Sequence, residues 1–273
     1  MIQKLLKRAR KIVIKIGSNT LAKEDGTINY AFICDFAAQC AFLIESGKQI
    51  VLVSSGAQVA GLSTIDCWTR KTDIHYRQAL CAVGQVELMD NWRTAFANFG
   101  LHIGQLLLTK DDFSDEHRTL NMRNTLFTLV DEGVVPIINE NDSVSFEEIK
   151  IGDNDNLSAL TAVLWNADLL ILFSDIDGVY DKNPKRFPDA QRIPVVENPA
   201  ELRRNISVEG TSDFGTGGIA TKIDAAEKAG AYGIDMILAD GSAPRALASL
   251  ADGSGQGTVF IGEETWRRTH SGQ

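Results

Sequence analysis

The sequence of 273 residues has little of what would mark a disulfide-rich, metal-binding or membrane protein. It contains four cysteines and four histidines, with no C-x-x-C pair and no spacing typical of zinc ligands. So few cysteines do not make a disulfide scaffold, and we expect reduced, mostly buried thiols. No stretch approaches the ~18 apolar residues of a membrane span. These absences favour an ordinary cytoplasmic protein with a hydrophobic core.

Positive charge is also scarce, because 27 Lys and Arg residues stand against 36 Asp and Glu residues and the net charge is −9. A general nucleic-acid binder, or a protein that binds an anionic membrane surface, needs a basic face. Residues 1–17 are basic and then apolar, like the start of a signal peptide, but Lys15 interrupts the apolar run and no small-residue cleavage site follows. We therefore expect a protein that binds neither nucleic acid nor membranes.

What the sequence does contain is a regular alternation of short apolar runs and helical patterns. The runs are continuous, which is typical of strands buried on both faces of a parallel sheet. They cover residues 12–16, 50–53, 103–108, 134–138, 169–173, 234–238 and 258–261. Helical spacing of apolar residues occurs at 33–44, 76–98, 116–132, 156–166 and 220–231. This alternation predicts an α/β sandwich with a mostly parallel sheet. No Pro/Ser-rich linker divides the chain, so we expect one domain over 1–273.

Polar residues follow four of the predicted strands, at the carboxyl ends where open parallel sheets bind their ligands. They lie at 15–20, 54–57, 139–142 and 174–178. Turns favour Gly, Asn, Asp and Ser in any case, so one such group means little. Four groups at equivalent strand ends predict a ligand site.

Lys15 is unusual because it lies inside an apolar strand, IVIKIG. A buried lysine costs several kcal/mol unless an anion or a carboxylate meets it. It either points to solvent from an edge strand or contacts a phosphate at a strand end.

A glycine-rich segment, GTGGIATK at 215–222, precedes a predicted helix. Backbone N–H groups in such a loop can hold an anion, aided by the helix dipole, and Lys222 lies in the first turn beside it. A flexible loop is the other interpretation. The glycines overlap the dinucleotide pattern G-x-G-x-x-A, but segment 208–214 is polar and does not read as a buried strand, and the Walker A spacing is absent. A dehydrogenase would need a strand there.

Acid and amide side chains also crowd the segment GDNDNLSAL at 152–160. A helix N-cap explains one of them. The others suit a ligand that has both an α-amino group and a carboxylate. Asp side chains can accept hydrogen bonds from the amino group, and Asn side chains can donate to the carboxylate. The segment lacks the ligand spacing of an EF-hand.

The chemistry that these features support is phosphoryl transfer, which depends mainly on positioning and charge neutralisation. The sequence has no G-x-S-x-G elbow, no Cys–His pairing and no H-E-x-x-H motif, so a hydrolase would lack its nucleophile. If the acceptor is a carboxylate with a pKa near ~4.3, it is already ionised at pH 7 and needs no general base.

Taken together, these motifs resemble those of the amino acid kinase superfamily and, within it, the glutamate 5-kinase family. The resemblance covers about residues 11–261 and rests on IVIKIGSNTL, VLVSSGA, AVGQ (82–85), VVPIINENDSV, EIKIGDNDNLSAL, LILFSDIDGVY and GTGGIATK. The lysine strand and the glycine–lysine loop are shared with acetylglutamate, aspartate, carbamate and uridylate kinases. The pairing of INEND with KIGDNDNLSAL is more specific to glutamate 5-kinases.

The resemblance implies an open, three-layer αβα sandwich that transfers phosphate from ATP to the γ-carboxylate of L-glutamate with Mg²⁺, the first step of proline biosynthesis. Residues 1–165 would form mainly the amino-acid side and 166–262 mainly the ATP side. Lys15 and Lys222 would neutralise the transferring phosphoryl group, and Asp155 would orient both lysines. The implied glutamate-binding residues are Ser55, Gly56, Asp142 and Asn154. The implied ATP-binding residues are Lys15, Ser174, Asp175, Thr216, Gly217, Gly218, Ile219, Ala220, Thr221 and Lys222. No protein cage for the metal is expected, since ATP would carry most of the Mg²⁺ coordination.

The sequence departs from the family pattern at two places. Ser174 stands where the family commonly has Thr, which keeps the hydroxyl. We also expect the C-terminal PUA domain of many members to be missing, because the sequence stops soon after Ile261. The family is also typically inhibited by proline and homo-oligomeric, as a dimer or tetramer. Two alternatives stay open at this point: a kinase for another small acid, and a non-catalytic nucleotide or amino-acid sensor with the same fold.

Overall fold

A computed structural model describes residues 1–65, 73–145, 154–184, 186–208, 218–263 and 265. Its strands are β1 (Lys11–Ile16), β2 (Gln49–Ser54), β3 (Ile103–Leu108), β4 (Val135–Glu140), β5 (Leu169–Ser174), β6 (Val179–Tyr180), β7 (Arg192–Ile193), β8 (Val195–Val196), β9 (Asp235–Asp240) and β10 (Thr258–Phe260). Strands β6 and β7 form a separate antiparallel pair. The other strands make one sheet.

The sheet has the order β3-β4-β2-β1-β5-β9-β10-β8 and is parallel from β3 to β9. Only its far edge is mixed, because β10 runs antiparallel to β9. Every residue of β4 and β5 is buried, which explains why the sequence shows continuous apolar runs rather than alternation. The open, mostly parallel sheet predicted from the sequence is confirmed.

Helices cover both faces of this sheet. They are α1 (Ile2–Arg8), α2 (Ser18–Leu21), α3 (Tyr30–Glu45), α4 (Ala57–Thr64), α5 (Ile74–Ala97), α6 (Glu116–Asp131), α7 (Asn154–Trp165), α8 (Pro199–Val208), α9 (Gly218–Ala231) and α10 (Ala246–Asp252), with a 3₁₀ turn at Lys110–Phe113. Apolar side chains of α3, α5 and α10 form one core on one face, and those of α6, α7 and α9 form a second core on the other. The three-layer αβα sandwich is therefore confirmed as well.

Strand β1 shows how the layers orient a functional side chain. It pairs with β2 on one side and β5 on the other, so it is a central strand. Ile12 and Ile14 point into the α3/α5 core, and Val13 points into the α7/α9 core. Lys15 has the same parity as Val13, which directs its side chain toward α7. The edge-strand interpretation of this lysine is thus wrong.

Helices α4 and α5 cross with their backbones in contact. A Cβ atom added to Gly84 would lie 1.8 Å from the carbonyl oxygen of Ala57 and 2.3 Å from the backbone N of Gly61. Only glycine allows this approach, which places the start of α4 and the middle of α5 at one end of the sheet.

In the sequence, helical patterns are followed by Gly47, Gly100, Gly133 and Gly230, which predicts that these glycines end helices, and the first three do take the left-handed conformation there. The same expectation for Gly230 is wrong. Helix α9 runs on to Ala231, and Gly233, with φ +78°, takes the left-handed position after the helix end. None of the helices in the described part of the chain has both the length and the apolar character that crossing a bilayer requires.

Candidate active site

A cleft of about 440 Å³ opens where the strands of the parallel sheet end. Most of the site residues expected from the sequence line it: Lys15, Ser55, Gly56, Asp142, Asn154, Asp155, Ser174, Asp175, Gly218, Thr221 and Lys222. Ile219 and Ala220 lie in the same first turn of α9 without lining the cleft. Thr216 and Gly217 lie outside the described residues. The fold thus brings together side chains that are up to 207 positions apart (15 to 222).

A larger groove, of about 810 Å³, lies between β8, α8 and α9. Its described lining carries four glutamates (Glu197, Glu201, Glu227 and Glu263) and no basic side chain. An acidic groove does not suit anionic ligands, so the smaller cleft, which contains lysines, is the better candidate for phosphate chemistry.

Two buried lysines meet one buried aspartate at the centre of the cleft. Lys15 Nζ lies 2.6 Å from Asp155 Oδ1, and Lys222 Nζ lies 3.2 Å from Asp155 Oδ2. Thr221 donates its hydroxyl hydrogen to Asp155 Oδ2 at 2.8 Å. All three charged residues are at most 7% exposed. The group carries a net positive charge inside an acidic protein.

The protonation state of Asp155 follows from these contacts. Burial alone would raise the pKa of its carboxyl group, but the charges of Lys15 and Lys222 and the hydrogen bonds from Lys15 and Thr221 outweigh burial and lower the pKa to about 2. Asp155 is therefore an anion at physiological pH, and with so low a pKa it is a very weak base there.

Helix α9 directs its first turn at this lysine pair. Lys222 Nζ also donates to the carbonyl oxygen of Gly218 at 2.9 Å, and Gly218 and Thr221 line the cleft with it. The N-terminal end of a helix offers unpaired N–H groups and a positive partial charge. Together with the lysines, it makes this end of the cleft suitable for phosphate.

The opposite part of the cleft is lined by amides and a serine. Asn154, the first residue of α7, donates from Nδ2 to Ser55 Oγ at 2.8 Å and to Asn139 Oδ1 at 3.0 Å. Ser55 follows β2, whose last residue, Ser54, accepts a hydrogen bond from Trp92 Nε1 at 2.9 Å. Buried partners therefore hold the turn after β2 in place.

Gly56 has a conformational role in this turn. Its φ of +105° lies in the left-handed region, and a Cβ atom there would come within 2.9 Å of Leu21 Cδ1. Glycine lets the chain turn sharply between Ser55 and the start of α4.

Asp142, Cys81 and Arg77 also line the cleft beside the amides. Burial, together with the nearby charge of Asp142, which forms a hydrogen bond with the thiol, raises the pKa of Cys81 to about 12. Cys81 is therefore a neutral thiol and not a nucleophile. Sequence patterns did not single out Arg77 or Cys81, because both come from α5 and reach the cleft only through the α4/α5 crossing.

A third group lies where β1 and β5 end. Ser174 donates to Asp175 Oδ1 at 2.9 Å, and Asn19 Nδ2 donates to Asp175 Oδ2 at 3.1 Å. Burial opposes ionisation of Asp175, but these two hydrogen bonds lower its pKa. Asn19 belongs to the polar run after the first predicted strand, yet only the structure shows that it supports Asp175.

Metal-ligating side chains do not gather in the described residues: no group of three or more His, Cys, Asp or Glu residues is placed to hold an ion there. Mg²⁺ usually keeps several waters and binds through substrate phosphates with one or two carboxylates. Asp175, an exposed carboxylate on the cleft wall, fits a metal that arrives with a nucleotide.

Comparison with known proteins agrees with this architecture. The model of the amino acid kinase family matches residues 10–240. A glutamate 5-kinase of Alkaliphilus metalliredigens is 59% identical over 260 residues, which cover 95% of this chain and 98% of that protein. A glutamate 5-kinase of Treponema pallidum is 45% identical over 293 residues, with 96% and 99% coverage. The crystal structure of UMP kinase from Ureaplasma parvum superimposes with a TM-score of 0.64 at 15% identity, covering 93% of this chain and 99% of that one, and shows the shared fold.

Proposed function

The chain belongs to the amino acid kinase family, and we propose that it transfers the γ-phosphoryl group of ATP to the γ-carboxylate of L-glutamate, the first step of proline biosynthesis. The observation that carries this proposal is the buried Lys15–Asp155–Lys222 group, which lies in one cleft with an amide- and serine-lined pocket. Relatives that cover almost the whole chain and are named glutamate 5-kinase support glutamate as the acceptor.

In this proposal, Lys15 and Lys222 act on the transferring phosphoryl group. A γ-carboxylate oxygen of glutamate forms a bond to the γ-phosphorus, the bond from that phosphorus to the bridging oxygen breaks, and the electron pair leaves with ADP. Negative charge spreads over the phosphoryl oxygens during the transfer, and the two ammonium groups stabilise it. Asp155 holds both lysines in place and stays ionised because its pKa is about 2.

We assign the glutamate side of the cleft to Ser55, Gly56, Asp142 and Asn154. The carboxylate of Asp142 suits an α-ammonium group, and hydroxyl and backbone N–H groups suit a carboxylate. The γ-carboxylate, with an ordinary pKa of ~4.3, is ionised at neutral pH. The reaction therefore needs no general base, which agrees with the weak basicity of Asp155 and with the neutral Cys81 thiol.

We assign the nucleotide to the opposite end, with Ser174 and Asp175 on one side and the segment 216–222 around the phosphates. When bound with ATP, Mg²⁺ supplies charge neutralisation on the phosphate oxygens. The proposed co-substrate is cytosolic, so we propose that the enzyme works in the cytoplasm. Inhibition by proline and a homo-oligomeric state are further proposals that rest on the family resemblance.

The experiment is hydroxylamine trapping of the acyl phosphate, with ATP, Mg²⁺ and one acid at a time. We expect γ-glutamyl hydroxamate with glutamate, and little product with aspartate or acetylglutamate. ADP release in the presence of carbamate or UMP tests the remaining acceptors of the superfamily. Product with another acid but not with glutamate would make this a kinase for that acid. No turnover with any acceptor, despite binding of ATP, would favour a sensor.

A further inference from the structure

We infer that Gln85 is a positioning residue, which acts through Asn139 and Asn154 to make the Ser55 hydroxyl a hydrogen-bond donor to a carboxylate oxygen of the acceptor. This inference rests on the proposed function and names a residue outside the set assigned above. Gln85 lies on α5 and is 8% exposed. It is joined to Ser55 by a chain of three hydrogen bonds.

The polarity of this chain is fixed at a backbone group. The N–H of Glu140 can only donate, and it lies 2.8 Å from the side chain of Asn139, so the atom that receives it is Oδ1. The other end of the Asn139 amide, Nδ2, must then donate. It does so to Gln85 Oε1 at 2.8 Å.

The same logic continues to Ser55. Because Asn139 Oδ1 is an acceptor, the atom of Asn154 at 3.0 Å from it is Nδ2. The second hydrogen of this Nδ2 goes to Ser55 Oγ at 2.8 Å. Both donors of Asn154 are used, and Ser55 Oγ is an acceptor of that bond.

The Ser55 hydroxyl therefore keeps its own hydrogen for another partner. Within the described residues its hydrogen has no acceptor, and Ser55 lines the cleft. A carboxylate oxygen is the partner that this donor suits. The sequence suggested that Asn side chains donate to the carboxylate, whereas the hydrogen-bond pattern assigns this task to Ser55 and makes Asn154 its support.

Packing makes Gln85 suitable for a fixed role. Its neighbour Gly84 packs directly against the backbone of Ala57 and Gly61, so α5 lies close against α4 and the turn that carries Ser55. The oxygen of Gln85 and the hydroxyl of Ser55 are thus held by the same helix crossing.

The test compares Gln85→Leu with Gln85→Glu. Leu removes the acceptor and leaves the buried Nδ2 of Asn139 without its partner, which weakens the anchoring of Asn139 and should raise the KM for glutamate about tenfold, as expected for one lost buried hydrogen bond. Glu offers an acceptor oxygen whether ionised or protonated, so the KM for glutamate of the Gln85→Glu variant should stay within about threefold of the wild-type value. The KM for ATP should change less than about twofold in both variants, which a general loss of structure would not produce.

A double-mutant cycle with Ser55→Ala tests the path of the effect. If Gln85 acts through Ser55, Gln85→Leu should change the glutamate kcat/KM by less than about twofold in the Ser55→Ala background. Effects that multiply in the double variant, or equal increases in the KM for ATP and glutamate, would overturn the inference. Gln85→Ala repeats the test if the leucine variant does not fold. Asn91→Leu is the matched control, because Asn91 lies on the same helix and, within the described residues, its side chain donates only to the backbone carbonyl oxygen of Glu87.

The two proposals fail in different ways. If the wild-type protein gives no γ-glutamyl hydroxamate, the proposed function is wrong. If the wild type gives it and the cycle is additive, glutamate kinase activity stands and the role of Gln85 is overturned.

Discussion

Individual side chains explain most of the proposed chemistry, and the two buried lysines are the sharpest test of it. We predict that Lys15→Ala and Lys222→Ala each lower kcat at least ~10²-fold, which is a loss of about 2.7 kcal/mol of transition-state stabilisation. The measurement is ADP release at saturating ATP and glutamate. Lys228→Ala is the control, because Lys228 also lies on α9 but bonds Asn156 outside the cleft. Turnover like that of wild type in either site variant would contradict the assignment.

Asp155 gives a prediction about pH. Its carboxyl pKa is about 2 in the folded protein against an ordinary 3.8, which corresponds to about 2 kcal/mol of stabilisation. Because the folded-state pKa is the lower one, this stabilisation is complete above the unfolded-state pKa and is lost as the pH falls toward 2. We predict that the difference in free energy of unfolding between wild type and Asp155→Asn shrinks by about 1 kcal/mol between pH 5 and pH 3.

Urea unfolding of both proteins at each pH measures this difference. The asparagine variant lacks the titrating carboxyl group at position 155, so any pH dependence that the two proteins share cancels in the difference. A difference that does not change with pH would show that the Asp155 pKa is not lowered by folding.

At the scale of single residues, the sequence predicts those functional groups that stand at strand ends or at the start of a helix. Lys15 is conspicuous because a charged side chain inside an apolar run is costly to bury without a partner. Asp155 is conspicuous because it belongs to a cluster of acid and amide residues before an apolar helix. Gln85 and Arg77 give no such signal. Gln85 lies in the middle of α5 and Arg77 in its first turn, and a polar residue on a long helix is usually exposed.

Among the elements, the α4/α5 crossing positions the acceptor half of the cleft. Gly84→Ala would place a methyl group 1.8 Å from the carbonyl oxygen of Ala57, so the helices must move apart. We predict a loss of at least about 2 kcal/mol in the free energy of unfolding, as for overpacked cores, together with a higher KM for glutamate. Urea unfolding and steady-state kinetics measure the two effects.

Gly230→Ala is the matched control for this helix contact. An added Cβ there would meet nothing nearer than 3.8 Å, and Gly230 lies inside α9, where Ala is favoured over Gly by about 0.5–1 kcal/mol. We expect neutral or increased stability. Equal effects of the two substitutions would show that the crossing does not depend on Gly84.

The elements themselves were predictable for a physical reason. Strands buried on both faces need uninterrupted apolar residues, so β1 to β5 and β9 stand out in the sequence. The short strands β6, β7 and β8 have two residues each, too few for a pattern. The antiparallel direction of β10 was equally hidden, because strand direction leaves no mark on a run of three residues.

On the scale of the whole molecule, the charge distribution separates surface from site. The net charge of −9 describes mainly exposed carboxylates, whereas the buried Lys15 and Lys222, together with Arg77, carry the positive charge of the cleft. Two anionic substrates can therefore bind to an acidic protein, because the attraction is local and weakly screened.

One continuous sheet joins the proposed glutamate side, 1–165, to the proposed ATP side, 166–262. Strand β1 pairs with β2 from the first part and with β5 from the second, so neither part keeps its central pairing without the other. We predict a single calorimetric unfolding transition, with equal calorimetric and van't Hoff enthalpies. A non-hydrolysable ATP analogue at about 100 times its Kd should raise the Tm of the whole transition, because binding stabilises the folded state by about 2.7 kcal/mol. Glutamate should raise the Tm of the same transition. Two separate transitions, with the nucleotide raising the temperature of only the one that belongs to residues 166–262, would contradict this prediction. The two sides would then unfold as separate units despite their shared sheet.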